Sequence, residues 1–280
     1  MRTVVRTFEP PLAHPAEFLG SVWRDFLRSR PLALEIAKRD IRNQYRQSLL
    51  GPVGAVLLPL ALTALALGFH RSGILNVQSG SVPYALFVLV GVVLWTTFIE
   101  ILNAPVYGLL AELRLLARTT APPEAIILGK LGPVVVNLLL KIVLVAAALL
   151  WYRIPITPAA VLAVLGLLGL AILGSAIGLL IAPLNLLYRD LSWIFGTITT
   201  LWFFFSPVYF PAPATGAIGA IMNLNPVTPL LGDTRSLLLT GMAITPVQSG
   251  LTIAGACLLL IASWFYARIV LSIAMEQVNE

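Results

Sequence analysis

The sequence has few charged side chains and very few that bind metals. Of its 280 residues, 11% are charged, one is cysteine (Cys257) and two are histidine (His14 and His70). A single cysteine excludes a disulfide framework within the chain, and two distant histidines do not make a metal cluster. With 59% hydrophobic residues and a mean hydropathy of +0.93, the chain has too little polar surface to cover a soluble globule. We therefore expect an integral membrane protein with no metal or cofactor of its own.

Signatures of nucleotide hydrolysis and of acid–base catalysis are also missing. The only Gly-Lys pair, Gly129-Lys130, has Glu124 where the first glycine of a phosphate-binding loop would stand. Glu100 is the only acidic residue clearly inside an apolar run, and neither histidine has an acidic neighbour. The chain is predicted not to be an enzyme. Its net charge of +6 does not indicate nucleic-acid binding, because half of the 18 cations precede residue 50.

Six apolar runs approach the ~20 residues that a helix needs to cross a bilayer. They are continuous stretches of Leu, Ala, Val and Ile, unlike the short alternating strands of a membrane β-barrel. No cleavable signal peptide is expected, because the first run begins behind nine cationic residues. The predicted fold class is all-α, with six transmembrane helices at residues 50–69, 84–102, 131–150, 159–181, 192–210 and 247–270.

The distribution of cations predicts the orientation of these spans. If the N-terminus is cytosolic, 14 of the 18 Lys and Arg residues fall on the cytosolic side, three fall outside and Lys141 lies inside a span. The positive-inside rule then places both termini in the cytosol. The predicted regions are a cytosolic tail with an amphipathic interface helix (1–48), a six-span domain (49–272) and a cytosolic tail (273–280).

Two connections between the spans are longer than a turn requires. Residues 111–130, on the cytosolic side, are predicted to form a short charged helix broken by prolines. Residues 206–246, on the outer side, are apolar but contain six prolines, so they cannot span as one helix. Irregular backbone at membrane depth must be covered by protein or line a wet cavity. We expect a re-entrant outer cap of short half-helices between spans five and six.

The N-terminal region is predicted to contain a helix lying on the membrane surface, with Pro31 in its first turn. An apolar arc and a basic arc follow from helical spacing. The apolar arc holds Leu34, Ala37, Ile41 and Tyr45, and the basic arc holds Lys38, Arg39, Arg42 and Arg46. The basic arc either orients the first span or contacts anionic lipid, and both interpretations stay open at this point.

Two groups inside the spans are candidate functional residues. Tyr188, Phe195, Trp202 and Tyr209 recur every seven residues, which predicts one aromatic stripe along a continuous helix. The stripe could face lipid, pack in the bundle or line a channel for sugar rings. Lys141 lies ten residues into the third span, with Asn137 one turn earlier on the same face. A cation at this depth should face protein or water, either lining a path or pairing with a group such as Glu100.

Four short motifs, occurring in order over residues 32–240, resemble those of membrane subunits of ABC-2 type polysaccharide exporters. The first surrounds the start of span one, the second precedes span five, the third closes it and the fourth precedes span six. They are Arg39-Asp40 with Tyr45-Arg46, Ser48 and Leu50-Gly51; Leu187-Tyr188-Arg189-Asp190; Phe205-Ser206-Pro207-Val208-Tyr209-Phe210-Pro211; and Asn225-Pro226-Val227-Thr228-Pro229 followed by Arg235. Residues 118–125 depart from the cytosolic loop motif of that family.

The resemblance implies a half-transporter of the bacterial cytoplasmic membrane for a lipid-linked glycan of O-antigen, capsule or teichoic-acid type. Two copies would enclose a path, and two separate ABC ATPase subunits, which hold ATP and Mg, would dock on the cytosolic face. Residues 111–130 would carry the coupling helix, and residues 206–246 would form the outer gate. The implied contacts are Glu112, Arg114, Arg118 and Glu124 with the ATPase; Arg39, Arg42 and Arg46 with the lipid head group; and the aromatic stripe with the glycan.

Three rival interpretations remain from the sequence. ABC-2 subunits that export drugs or small amphiphiles would share the spans and the coupling loop. A membrane-embedded enzyme of glycan assembly would need converging ionisable groups, which the chain lacks. An anchoring or assembly protein would leave Lys141 and the broken outer segment without a reason.

Overall fold

The computed structural model describes residues 15–46, 51–74, 82–112, 122–188, 190–213 and 215–279, with side chains described from residue 28 to residue 271. Within these ranges the regular structure is helical and contains no strand, which confirms the all-α class. The helices are α1 (Pro15–Arg46), α2 (Val53–Arg71), α3 (Tyr84–Ala111), α4 (Pro123–Trp151), α5 (Ala163–Leu187, preceded by a 3-10 turn at Pro158–Leu162), α6 (Leu191–Phe204), α7 (Gly216–Leu224), α8 (Val227–Leu239) and α9 (Pro246–Asn279).

Five helical segments of the described chain are long and apolar enough to cross a membrane, namely Val53–Arg71, Tyr84–Ala111, Pro123–Trp151, Pro158–Leu187 and Pro246–Leu271. The predicted count of six spans is therefore not confirmed, because only five of the six predicted segments lie in helices of sufficient length within the described residues. The segment predicted as the fifth span forms α6, which has only 14 residues. It ends at Phe204 because Pro207 follows, and a proline disfavours helical backbone at the residue before it.

Helix α3 occupies the centre of the bundle. It packs against α2, α4, α5 and α8. Of the residues in its most apolar 18-residue stretch, 78% are buried, compared with 17% in the corresponding stretches of α2 and α9. Helix α3 is apolar on all sides, as expected of a helix surrounded by others. Its close contact with α5 depends on small residues. A Cβ at Gly178 would lie 2.5 Å from Cγ of Pro105, and one at Gly174 would lie 3.2 Å from the carbonyl oxygen of Phe98.

Helix α1 packs along α4, and the contact is close because α4 carries two glycines there. A Cβ at Gly129 would lie 2.6 Å from Cγ2 of Ile36, and one at Gly132 would lie 2.5 Å from Cβ of Ala37. The helix begins at Pro15, so Pro31 lies in its interior and the predicted start was wrong. The predicted apolar arc does not face a single environment, because Ala37 packs against Gly132 of α4 whereas Leu34 is 60% exposed.

The connection predicted at 111–130 is shorter than expected. Helix α4 begins at Pro123, so Lys130 lies inside α4 and not in a loop. Pro123 is compatible with this start because the first turn of a helix has no partner for the missing N–H. Residues 113–121 lie outside the described part of the chain.

The proline-rich segment 206–246 contains two short helices, α7 and α8, as the sequence predicts for its half-helices. Helix α8 is packed among α3, α5 and α9. Most of its residues are buried, and Gly166 and Gly169 of α5 leave the space that Thr234 and Leu230 occupy. Whether this segment enters the bilayer stays a prediction.

Candidate functional site

The two ends of α3 define two regions that carry most of the polar contacts. Tyr84 begins α3 and Glu112 follows it, so its 28 residues separate the two regions by about 42 Å. We call the region around α1, Glu112 and the start of α4 the basic end. The region formed by residues 205–249, including α7 and α8, is called the cap end.

At the basic end, four charged side chains join α1, α3 and α4. Lys130 Nζ lies 2.7 Å from Oδ2 of Asp40 and 3.0 Å from Oε1 of Glu112. Arg39 pairs with Asp40 at 3.0 Å and also donates to Glu112. Glu112 thus anchors the end of α3 to α1 and α4 together.

The charge of Glu112 is stabilised by this cluster. Burial raises the pKa of its carboxyl, but hydrogen bonds and Coulombic attraction from Arg39 and Lys130 outweigh burial, so the net pKa is lowered from 4.5. Arg114 and Arg118, which were predicted with Glu112 as contacts for an ATPase, lie outside the described residues.

Glu124 is buried and does not face solvent. Its side chain is 3% exposed, and Oε1 accepts from Nε of Arg268 at 2.6 Å and lies 2.5 Å from Nη2. Its other oxygen has no partner among the described residues. This pair ties the first turn of α4 to the last helix, so Glu124 is an internal anchor in this structure. Its predicted contact with an ATPase stays untested.

The three arginines predicted to contact a lipid head group differ in their surroundings. Arg42 and Arg46 are exposed, whereas Arg39 is committed to Asp40 and Glu112 although its side chain is 45% exposed. Of these three arginines, Arg42 and Arg46 carry no ion pair within the described residues. The head-group contact itself stays a prediction.

The polar residues predicted inside the membrane lie together between α1, α3 and α4. Lys141 is 1% exposed, and its Nζ lies 2.8 Å from Oε1 of Glu100, so the pairing that the sequence left open is observed. Asn137 donates to Glu100 at 3.4 Å and accepts from Tyr45 at 3.0 Å and from Gln44 at 3.1 Å. The end of α1 is thereby hydrogen-bonded into the middle of the bundle. The sequence analysis placed Tyr45 on the apolar arc of α1 but did not predict its hydrogen bond to Asn137, and it did not single out Gln44.

The predicted aromatic stripe is not continuous. Tyr188 precedes α6 in extended backbone and is 63% exposed, and Tyr209 follows α6 in a turn. Phe195 and Trp202 are the two members of the stripe that lie on α6, and Phe195 is buried at 6% exposure. The expectation of four residues on one helical face was wrong because α6 has only 14 residues. A role for these residues in a substrate path stays a prediction.

Trp202 lies between the bundle core and an open apolar groove. Its ring makes edge contacts with Trp95 and Phe98, with centroids 6.1 Å and 5.4 Å away. On its other side is a groove of about 440 Å³ between α6 and α7, lined by Ile198, Leu201, Trp202, Phe205, Ile221, Leu224, Asn225 and Pro226. Trp95 and Phe98 were missed by sequence reasoning, because aromatic residues in an apolar span carry no positional signal.

At the cap end, two buried polar side chains hold irregular backbone in place. Asn225 accepts from Trp202 Nε1 and from the Val227 amide, both at 3.0 Å, and donates to the Phe205 carbonyl. Asp233 accepts from the amides of residues 244 and 245 at 2.8 Å and from the Ser249 hydroxyl at 2.6 Å, next to the start of α9. Asp233 was missed because it lies in a stretch that reads as an ordinary apolar segment.

The contacts of these clusters join helices and irregular segments to one another. Among the described residues, no three His, Cys, Asp or Glu side chains are placed to hold a metal ion. The carboxylates named above are instead engaged by cations or backbone amides. The arrangement is that of a helical bundle with fixed contacts at both ends.

Comparison with known proteins identifies the family. The pattern of the family described as ABC-2 type transporter matches residues 32–239, which is more than half of the chain. The chain is 26% identical over 227 residues to the O-antigen export system permease protein RfbA of Myxococcus xanthus, covering 76% of this chain and 82% of that protein. It is 23% identical over 212 residues to the protein of the same name from Klebsiella pneumoniae, covering 75% and 81%. The chain therefore belongs to the ABC-2 type transporter family and is a multi-pass membrane protein.

Proposed function

We propose that the chain is the transmembrane subunit of an ATP-driven exporter that moves a lipid-linked polysaccharide across the bacterial cytoplasmic membrane. The observation that carries this proposal is the similarity, over 76% and 75% of the chain, to two proteins named as O-antigen export permeases. Family membership implies partnership with ABC ATPase subunits, which would supply the phosphate-binding loop that this sequence lacks. Two copies of the chain enclose the path in this proposal.

The basic end faces the cytosol, in agreement with the excess of cations on that side of the predicted spans. Glu112 lies next to the segment that would receive the ATPase. A displacement there reaches α1 through Arg39 and α4 through Lys130, because both cations pair with Glu112. The exposed Arg42 and Arg46 lie on the same helix and attract the pyrophosphate of a lipid-linked glycan.

Trp202 is the member of the predicted aromatic stripe that lines the groove, and it is our candidate for contact with the glycan. It lines an open apolar groove, and a flat aromatic face can stack on a sugar ring without anchoring it by many hydrogen bonds. A polymer that must slide needs contacts of this kind. Phe195, which is buried, and Tyr188, which lies outside α6, are less directly placed.

The test is transport by purified components. The chain and its cognate ATPase subunit are reconstituted in vesicles that contain a labelled lipid-linked glycan, and ATP-dependent movement of the label is measured. An ATPase variant that binds ATP without hydrolysing it is the control. The proposal fails if the chain recruits no ATPase or if the glycan stays in its original leaflet. Movement of small amphiphiles with a stationary glycan would favour the drug-exporter alternative.

Substitutions in α6 test the role of Trp202. Trp202→Ala should reduce glycan export severalfold while assembly with the ATPase persists, because the stacking face is lost. Trp202→Phe keeps a stacking face but removes the N–H that binds Asn225, so it separates stacking from anchoring. Trp193→Ala is the matched control, since Trp193 is on the same helix and is 76% exposed. Unchanged export in Trp202→Ala would assign the residue to packing alone.

A further inference from the structure

The turn formed by residues 205–209, called the outer turn below, connects α6 to the rest of the cap end. Its only backbone hydrogen bond within the turn is from the Val208 amide to the Ser206 carbonyl at 2.7 Å, as far as the described residues extend. Side chains from other elements bind its remaining carbonyls. The side-chain amide of Asn225 donates to the carbonyl of Phe205, and the hydroxyl of Tyr84 donates to the carbonyl of Tyr209 at 3.0 Å. The position of the outer turn therefore depends on contacts made from outside it.

Arg235 of α8 makes the central contacts. Its Nη1 donates to the carbonyl of Pro207 at 2.8 Å and to that of Val208 at 3.3 Å. The guanidinium carbon lies 3.5 Å from the centre of the Phe87 ring on α3. Arg235 is 4% exposed, so one buried side chain joins α8, α3 and the outer turn.

The charge of Arg235 has no acidic counterpart within the described part of the chain, since its polar contacts there are the two carbonyls. Asp233, two residues away, is occupied by the amides of residues 244 and 245 and by Ser249. The guanidinium is thus held by neutral dipoles and by the face of an aromatic ring. Contacts with neutral acceptors can be broken without separating two opposite charges in an apolar environment.

The junction has no spare room on the α3 side. A Cβ at Gly91 would lie 2.6 Å from the carbonyl oxygen of Val208 and 3.1 Å from Nη1 of Arg235. The absence of a side chain at Gly91 is what lets the outer turn reach α3. Val208 itself is 1% exposed in this arrangement.

We propose that Arg235 is a positioning residue that locks the outer turn against α3 and α8, keeping the cap end closed until the transport cycle releases the turn. The proposal that the transport cycle releases the turn rests on the proposed export function. The proposal that Arg235 locks the turn in place does not depend on that function. When the turn moves, Arg235 can stay stacked on Phe87 while its bonds to the two carbonyls break, provided that water entering the opened junction takes the place of the carbonyls. The lock is therefore reversible without moving α8 itself.

The first experiment measures access to the outer turn and needs neither ATPase nor glycan. Val208→Cys is introduced into a Cys257→Ser background, and the rate of labelling by a water-soluble maleimide is measured with the full chain in lipid nanodiscs. Adding Arg235→Met should raise the labelling rate by about tenfold or more, because the turn samples open positions more often. Arg235→Lys, which keeps a donor, should give a smaller rise. Arg153→Met, at an exposed arginine outside the junction, should leave the rate unchanged.

Two further variants distinguish a local movement of the outer turn from a general loosening of the fold. Gly91→Ala keeps Arg235 but pushes on the Val208 carbonyl, so it should also speed labelling. The native Cys257 on α9, in a chain that carries Arg235→Met and the native Val208, should be labelled at its parental rate. Unchanged labelling at residue 208 in both Arg235→Met and Gly91→Ala overturns the lock. An equal rise at Cys257 overturns it as well, because the change would then be global.

The second experiment tests release during transport. In the complex with the ATPase subunit, ATP hydrolysis should raise labelling of Val208→Cys in a chain that keeps Arg235, and the ATPase variant that does not hydrolyse ATP should not. If ATP does not change the labelling in a complex that moves the glycan, the proposal that the turn is released during transport is wrong. A complex that moves no glycan at all contradicts the proposed function instead, and the labelling of the chain alone still decides the lock.

Discussion

From the basic end to the middle of the bundle, helices are tied to one another by pairs of opposite charges, whereas at the cap end they are tied by side chains bound mainly to backbone groups. The first region contains Glu112 with its two cations, the pair of Glu124 with Arg268 and the pair of Glu100 with Lys141. The second contains Asn225, Asp233 and Arg235, which bind amides and carbonyls of irregular segments.

The difference follows from what each region has to satisfy. Regular helices satisfy their own backbone, so contacts between them come from side chains. Partly exposed charges at the basic end can pair at modest cost, whereas a buried charge such as Lys141 needs its counter-ion. The cap end has a broken backbone whose amides and carbonyls need partners when buried. The two regions should therefore respond differently to charge removal, salt and pH.

The largest expected effect is at the buried pair in the middle of the bundle. Glu100→Gln leaves the ammonium of Lys141, which is 1% exposed, without a counter-ion, and should lower the free energy of unfolding by about 3–5 kcal/mol. Lys141→Met should cost less, about 1–2 kcal/mol, because the carboxyl of Glu100 is 30% exposed and keeps its hydrogen bond from Asn137. The measurement is detergent-driven unfolding of the full chain, followed by helical circular dichroism. The double variant should be close to Lys141→Met, and equal losses in the two single variants would contradict this asymmetry.

An intermediate effect is expected at the cap end. Asn225→Ala leaves the Trp202 N–H and the Val227 amide without their acceptor, and should cost about 2 kcal/mol in the same unfolding measurement. Because these bonds join neutral groups, the loss should not change between low and high salt. Asn223→Ala, on the exposed face of α7, is the matched control and should stay within about 0.5 kcal/mol of the parent. A salt-dependent loss in Asn225→Ala would remove the contrast between the two regions.

The smallest expected effect is at the partly exposed cluster of the basic end. Glu112→Gln should cost about 1 kcal/mol, and the loss should shrink at high salt because the pairs with Arg39 and Lys130 are partly screened. The control is Glu35→Gln, at an exposed position of α1.

The same variant tests the pH dependence. The pKa of Glu112 is lowered from 4.5 by folding, so the unfolded chain binds more protons in acid. The stabilisation by Glu112 is present above about pH 4.5 and is lost as the pH falls through its folded pKa. Glu112→Gln should therefore lose less stability than the parent on acidification. Identical acid profiles of parent and variant would show that the cluster contributes no charge stabilisation.

Much of the architecture could be predicted from the sequence, and the errors have physical causes. The apolar runs located five of the spans, and the prolines located the short helices of the cap end. The prediction of an aromatic stripe was wrong because residues spaced seven apart share one face only if the helix continues, and α6 ends at Phe204, shortly before Pro207. Glu124 was expected in the connection 111–130, but it lies in the first turn of α4 and pairs with Arg268, and its contact with an ATPase stays a prediction.

The sequence by itself determined the class of the chain, five of the spans and their expected orientation, because length, hydropathy and charge act locally along the chain. Only the tertiary structure decided that α3 is the central helix, since every span is similarly apolar and periodicity cannot rank them. It also decided which partners the few polar residues have. Glu100 meets Lys141 and Arg235 meets the outer turn across 41 and 28 residues, respectively, and such contacts depend on packing.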